Sequence, residues 1–236
     1  MTDQVFFPSD LAHQILHVLR LAEGEQVEVL DNQGGRLLVE LAYGETTKQV
    51  IGKILCKKIV PKNQMARVSL FFGLTNRDKV EWILQKGTEI GVTAFHPFVS
   101  SRTVVQSITL TGKKIERWQR IIREAAEQSR RNSLPEFHLP ENYESCLSTA
   151  QTENDICLLA WEKTASKSNK LSDILKGDKL DSIAAFVGPE GGFSEDEVAL
   201  ATERGFMIIS LGNHILRMET AAIVLPALIL YELGKR

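Results

Sequence analysis

Two short glycine-bearing stretches hold the residues best suited to chemistry. The first is Gly188-Pro189-Glu190-Gly191-Gly192. The second is Gly212 with the run Ile215-Leu216-Arg217-Met218-Glu219-Thr220 that follows it. Each begins where an apolar, β-rich run stops, residues 183–187 for the first and 206–211 for the second. Three glycines in the first stretch let a ligand come close to the backbone. The stretch is not GxGxxG, and it lacks the Lys-Ser/Thr of a phosphate-cradling P-loop. An acid at its centre would repel phosphate, so Glu190 suits a cationic or hydroxyl-rich ligand. The same text also reads as a tight structural turn. Arg217 and Glu219 stand at the entrance to an apolar segment, where the plain reading is a salt bridge at a helix end.

The elements that must hold these residues are well marked. Short β-rich runs that stop at glycine and alternate with helices predict an α/β fold with a mostly parallel sheet. Ligands in such sheets sit at the carboxyl ends of strands. Between the two stretches, Ser194 with Glu197 forms a capping box, Phe193 and Val198 form a staple, and Gly205 suits the C-terminal stop of a helix. The segment 219–233 is apolar almost all round, as in a helix buried in a core or an interface. Pro226 inside it should kink the helix or remove a hydrogen bond. Further upstream, Asn76 caps a predicted helix over 77–90. A strand follows at 92–99, then a long helix over about 112–132 and a buried strand over 155–161.

The first third reads differently. After a helix-like segment at 13–20, strand-like runs occupy 26–30, 36–42, 48–60 and 65–72. The sequence Asp31-Asn-Gln-Gly-Gly35 gives a strong hairpin signal, and Pro61-Lys-Asn63 reads as a turn. Several short antiparallel strands before any long helix predict a small β-barrel over residues 1–72, with the α/β domain over 73–236.

Composition narrows the function. With 28 Lys and Arg against 30 Asp and Glu, the net charge of −2 excludes a globally basic surface. Any nucleic-acid contact must come from local patches. The densest is 113–131, with seven Lys or Arg against three Glu. Cys56, Cys146 and Cys157 show no CxxC spacing, which argues against a disulfide framework or a metal site and suits a reducing cytosol. The first residues carry no signal-peptide pattern, and the apolar run 221–231 is too short to span a bilayer.

GPEGGFSEDE followed by SLGNHILRMETA, with the text of 79–92, Glu124–Arg130 and 17–20, resembles the RsmE family. The resemblance covers nearly the whole chain. It implies methylation of N3 of a uridine in 16S ribosomal RNA, in a cytoplasmic protein acting on the small ribosomal subunit. It implies a C-terminal SPOUT domain with a deep trefoil knot, an N-terminal PUA-like barrel, and a homodimer joined through the knotted domain. It implies S-adenosylmethionine as methyl donor, with no metal. The cofactor pocket would consist of Gly188, Pro189, Glu190, Gly191, Gly192, Leu211, Gly212, Ile215, Leu216 and Arg217, with the loop after 155–161 as a third wall. Two family positions differ: His214 stands where Arg is common, and Met218 where Thr is common. The family's Arg near the N-terminus has no counterpart in 1–7.

Under that resemblance, a uridine N3–H must be lost for the nitrogen to attack. Arg217 is the candidate cation for the charge that spreads onto the ring oxygens, because its planar fork faces two acceptors. Glu190 or Glu219 is the candidate base. Arg20, Arg36, Arg102, Arg123, Arg130 and Arg131 are the candidate RNA contacts. A methyltransferase acting on another RNA atom, such as a ribose 2′-OH, and a non-catalytic RNA-binding protein are the other readings.

Overall fold

The computed structural model describes residues 4–31, 35–44, 49–59, 66–104, 111–164, 170–176 and 180–234. The chain divides into two compact units, Met1–Lys62 and Asn63–Arg236.

The first unit begins with β1 (Gln4–Phe6) and α1 (Ser9–His13), which runs on as a π-helical turn over Gln14–Val18. Then come β2 (Gln26–Leu30), β3 (Gly35–Tyr43) and β4 (Val50–Ile59). They form an antiparallel sheet in the order β1-β4-β3-β2. Burial alternates along β3, so one face looks inward. Ala12, Ile15, Leu41 and Val50 make the small core. The expected hairpin joins β2 to β3, and the Gly35 N–H donates to Asp31 Oδ1 at 2.8 Å. The tip of that hairpin, the ends of the predicted strand at Lys48 and Val60, and the predicted turn at 61–63 lie outside the described residues.

The second unit holds β5 (Arg67–Gly73), α2 (Arg77–Ile90), β6 (Ala94–Val99) and α3 (Gly112–Gln128). Next are β7 (Glu136–Phe137), β8 (Glu141–Asn142), α4 (Tyr143–Glu153) and β9 (Ile156–Ala160). The chain then runs through α5 (Leu171–Ile174), β10 (Ser182–Val187), α6 (Glu195–Glu203), β11 (Met207–Ile209) and α7 (Met218–Gly234). The sheet order is β11-β9-β10-β5-β6-β7, with β8 also on β6, and every pair is parallel.

Alternate strand residues serve two cores. Val68, Leu70, Phe72, Ile183 and Ala185 face α2, α3 and α7. Phe71, Leu159, Ala184 and Phe186 face α4 and α6. The result is a three-layer α/β unit.

One expected boundary moves. The run 65–72 was expected to close the N-terminal domain, but β5 lies between β10 and β6 inside the parallel sheet. Its burial explains this: from Val68 to Gly73 every residue is buried, which requires cover on both faces. The α4 helix was not foreseen, because its hydrophobic stripe is short and interrupted by polar residues. The long α3 helix stops at Gln128, four residues short of its expected end at 132.

Candidate functional site

Register decides where the site forms. Val187 of β10 pairs with Ala160 of β9, and Ile209 of β11 pairs with that same Ala160. Three neighbouring strands therefore end level, and the chain leaves each of them on the same side. Val187 also pairs with Phe72 of β5, so the loop after β5 joins them. A cavity of about 470 Å³ opens there, a size that fits a small cofactor. Gly188 to Phe193 form one wall and Ser210 to Gly212 with His214 to Glu219 another, and Ala160, Trp161, Glu162 and Lys79 also line it. Each expected pocket residue lines this cavity: Gly188, Pro189, Glu190, Gly191, Gly192, Leu211, Gly212, Ile215, Leu216 and Arg217. The wall expected after the 155–161 strand is there as well.

The glycine loop is held from several sides. Its downstream anchor, Phe193, is 2% exposed and lies among Phe98, Tyr143 and Val198. The capping box forms, with Ser194 Oγ accepting from the Glu197 N–H and Glu197 Oε2 accepting from the Ser194 N–H. Glu197 Oε1 also accepts from the N–H and hydroxyl of Ser101. Gly73 supports the loop from beneath: a Cβ there would stand 2.7 Å from Pro189 Cα. Gly192, with φ +66°, takes the left-handed backbone that glycine allows most freely.

Charge is concentrated at one corner. Lys79, in the first turn of α2, places its Nζ 3.2 Å from Glu190 Oε1 and 3.4 Å from Glu219 Oε2. The Thr75 hydroxyl donates to Glu190 Oε1 as well. Burial opposes ionisation of Glu190, but the Thr75 hydroxyl, its own backbone N–H and Lys79 outweigh it and hold the carboxyl below its ordinary value. Burial likewise opposes the Lys79 charge, and the two glutamates reverse that and raise its pKa. Glu219 Oε2 is buried and has no aligned hydrogen bond among the described residues, only the ion pair. Arg217 is exposed on the pocket rim, and among the described residues its guanidinium makes no ion pair. Sequence reasoning left Lys79 and Thr75 out of the site. The available signals were Thr75's place between a strand end and the Asn76 cap, and Lys79's place in the first turn after that cap.

Two arginines expected to meet RNA have other work. Arg102 Nη1 donates to the carbonyls of Gly191 and Phe193, at 3.2 and 3.3 Å, and so braces the glycine loop. Arg131 Nη1 donates to the carbonyls of Thr88 and Val92, at 2.9 and 2.6 Å, and satisfies the end of α2. Burial lowers its pKa. The basic face of α3 is also partly consumed, since Arg117 pairs with Glu81 through both Nε and Nη2, at 2.5 and 2.7 Å. Arg36 pairs with Glu28 at 3.5 Å in the first unit. Arg123 is half-buried. Arg20 and Arg130 are exposed, each with a left-handed backbone, φ +54° and +55°.

A parallel α/β sheet with a glycine-walled pocket across level strand ends defines the class: an α/β enzyme that takes a small organic cofactor at the carboxyl edge of its sheet. Residues 61–230 match the family described as RNA methyltransferase domain, and the chain belongs to that family. The ribosomal RNA small subunit methyltransferase E of Bacillus subtilis (strain 168) is 35% identical over 93% of this chain and 87% of its own length. The protein of the same name from Synechocystis is 36% identical over 90% of this chain and 68% of its own. The crystal structure of a ribosomal RNA small subunit methyltransferase E from Neisseria gonorrhoeae bound to S-adenosyl methionine superposes with a TM-score of 0.80. It covers 93% of this chain and 88% of that one, at 32% identity.

Proposed function

We propose that this protein transfers a methyl group from S-adenosylmethionine to N3 of one uridine in 16S ribosomal RNA. It is an S-adenosylmethionine-dependent RNA methyltransferase, as its family and its cofactor-bound neighbour indicate. The observation that carries the finer reading is the placement of Arg217, without an ion pair among the described residues, on the rim of the glycine-walled pocket beside Glu219.

The pocket suits the cofactor on chemical grounds. Its three level strand ends expose backbone to an adenosine-sized ligand, and its Glu190–Glu219 corner suits a cation. When bound, S-adenosylmethionine supplies a methyl group on a positively charged sulfur, so the protein must orient the nucleophile and manage one proton. Residues 188–192 with Leu211, Gly212, Ile215 and Leu216 hold the cofactor. Arg217 faces the uracil oxygens and stabilises the negative charge that N3–H loss spreads onto them. Of the two candidate bases, Glu190 is held by Thr75 and Lys79 and serves as an anchor. Glu219, which Lys79 meets at 3.4 Å but which takes no hydrogen bond from Thr75, accepts the proton.

The remaining parts of the reading follow the same family. The antiparallel first unit is a PUA-like barrel that docks RNA, with Arg20 and Arg36 facing phosphate. In the second unit, Arg123 and Arg130 are the RNA contacts of this reading. The α/β unit is a SPOUT domain threaded as a trefoil knot and pairs with a second copy. Exposed Leu228 and Tyr231 on α7 and Ile215 beside the pocket support a covered face. No helix among the described residues is long and apolar enough to cross a membrane, and the site of action is the cytoplasmic small ribosomal subunit.

The test is methyl transfer from labelled S-adenosylmethionine to small-subunit rRNA, or to 30S particles, from cells lacking the protein. The product is read by nucleoside analysis. A single 3-methyluridine is expected. A methylated ribose overturns the uracil assignment, and no cofactor binding overturns the enzymatic one.

A further inference from the structure

The pocket contains an element that neither the glycine loops nor Arg217 accounts for. Two carboxylates from different loops share one ammonium: Glu190 from the loop after β10, Glu219 from the start of α7, and Lys79 from the first turn of α2 between them. Their side chains are only 31%, 17% and 29% exposed. The cluster therefore sits at reduced dielectric, where the two acids would repel strongly without the lysine. The other charged or titratable side chains lining the cavity are Glu162, His214 and Arg217. Among the described residues none of these three pairs with Glu190 or Glu219.

We infer that Lys79 is a positioning residue for cofactor binding: its ammonium ties the glycine loop to the start of α7 and holds the two carboxylates together at the spacing the pocket needs. This rests on the reading of the pocket as an S-adenosylmethionine site. The Thr75 hydroxyl orients Glu190 within the same tie.

The consequence of losing Lys79 is an altered proton balance, which distinguishes this role from simple packing. Without the lysine, the carboxylate pair binds a proton more tightly in the folded protein than in the unfolded one. The stability and the geometry that depend on the pair are then lost as pH rises through that raised value. Replacing one of the two acids by its amide removes the repulsion and should restore both.

The experiment compares wild type, Lys79→Met, Glu219→Gln and the double variant. S-adenosylmethionine binding is measured by calorimetry and thermal unfolding of the ligand-free proteins is followed, both between about pH 5 and pH 8. His214 is present in all four proteins, so differences among them do not come from it. Lys79→Met is expected to weaken binding about tenfold or more at the alkaline end, the size of one lost charge-assisted contact. Its deficit in unfolding temperature should grow with pH, and the double variant should recover both. Lys79→Arg should retain most of the binding. A Lys79→Met protein with the pH dependence of wild type, or a double variant no better than the single, overturns the inference. Failure of the wild type to bind S-adenosylmethionine would instead overturn the cofactor reading, and the unfolding series alone would then decide whether Lys79 balances the two acids.

Discussion

Gly73 lies so close under Pro189 that a Cβ at position 73 would stand 2.7 Å from Pro189 Cα. One glycine at the end of β5 thus sets the height of the glycine loop that follows β10. Replacing Gly73 with alanine forces either the strand or the loop to move. The expected outcome is a loss of about 1–3 kcal/mol, as in overpacked sites, read from the denaturant midpoint. Cofactor affinity should fall with it, since the displaced segment is a pocket wall. An unchanged midpoint and unchanged affinity would show that the contact relaxes freely.

Arg217 makes no ion pair among the described residues, so its removal should cost little in folding. Arg217→Ala should leave cofactor affinity within a few fold of wild type. It should lower the rate of methyl transfer by about a hundredfold or more, as when one charge-stabilising donor is lost. Single-turnover kinetics with saturating cofactor separates the two quantities. An equal loss in binding and rate would instead assign Arg217 to holding the cofactor.

Arg131 closes the end of α2 by donating to Thr88 and Val92 carbonyls. Arg131→Met should therefore lower stability by about 1–3 kcal/mol, the cost of removing the Arg131 donor from the Val92 carbonyl while Thr88 keeps only the Gly91 N–H. The salt dependence of RNA binding should stay as in wild type. A reduced salt slope at unchanged stability would return Arg131 to the RNA surface. For Arg130, whose side chain is exposed, the opposite pattern is expected: weaker, less salt-dependent RNA binding with the unfolding midpoint preserved.

His96 is stacked between Phe71 and His138, with ring centroids 4.1 and 3.9 Å away. Burial, with the neighbouring His138, lowers its pKa to about 3. A histidine with its folded pKa lowered stays neutral in the folded protein, while the unfolded chain takes up a proton. Its contribution is full above the ordinary imidazole value and is lost as pH falls towards 3, by about 1.4 kcal/mol per unit. His96→Phe should flatten the acid limb of the stability profile between about pH 6.5 and 4. Chemical unfolding across that range checks it, and an acid limb identical to wild type would reject it.

Much of the site was legible because local chemistry sets it. The Ser194–Glu197 capping box, the Asn76 cap and the glycines after apolar runs are short-range signals, and their elements formed within a residue or two of expectation. The apolar segment from 219 also became a helix, with Pro226 buried inside it. The roles of Arg102 and Arg131 could not be read this way. An arginine in a basic stretch looks the same in sequence whether it meets solvent, RNA or a carbonyl from an element far along the chain.

The sequence by itself determined the alternation of strands and helices, the two glycine loops, and the family text that names the chemistry, because caps, turns and periodicity act over a few residues. The tertiary structure decided that β5 belongs to the parallel sheet, because burial on both faces depends on what covers them. Parallel register, which sequence does not encode locally, brought β9, β10 and β11 to a common edge. It also decided that Lys79 meets Glu190 and Glu219. Those three residues come from separate segments, and only folding places one ammonium between two carboxylates.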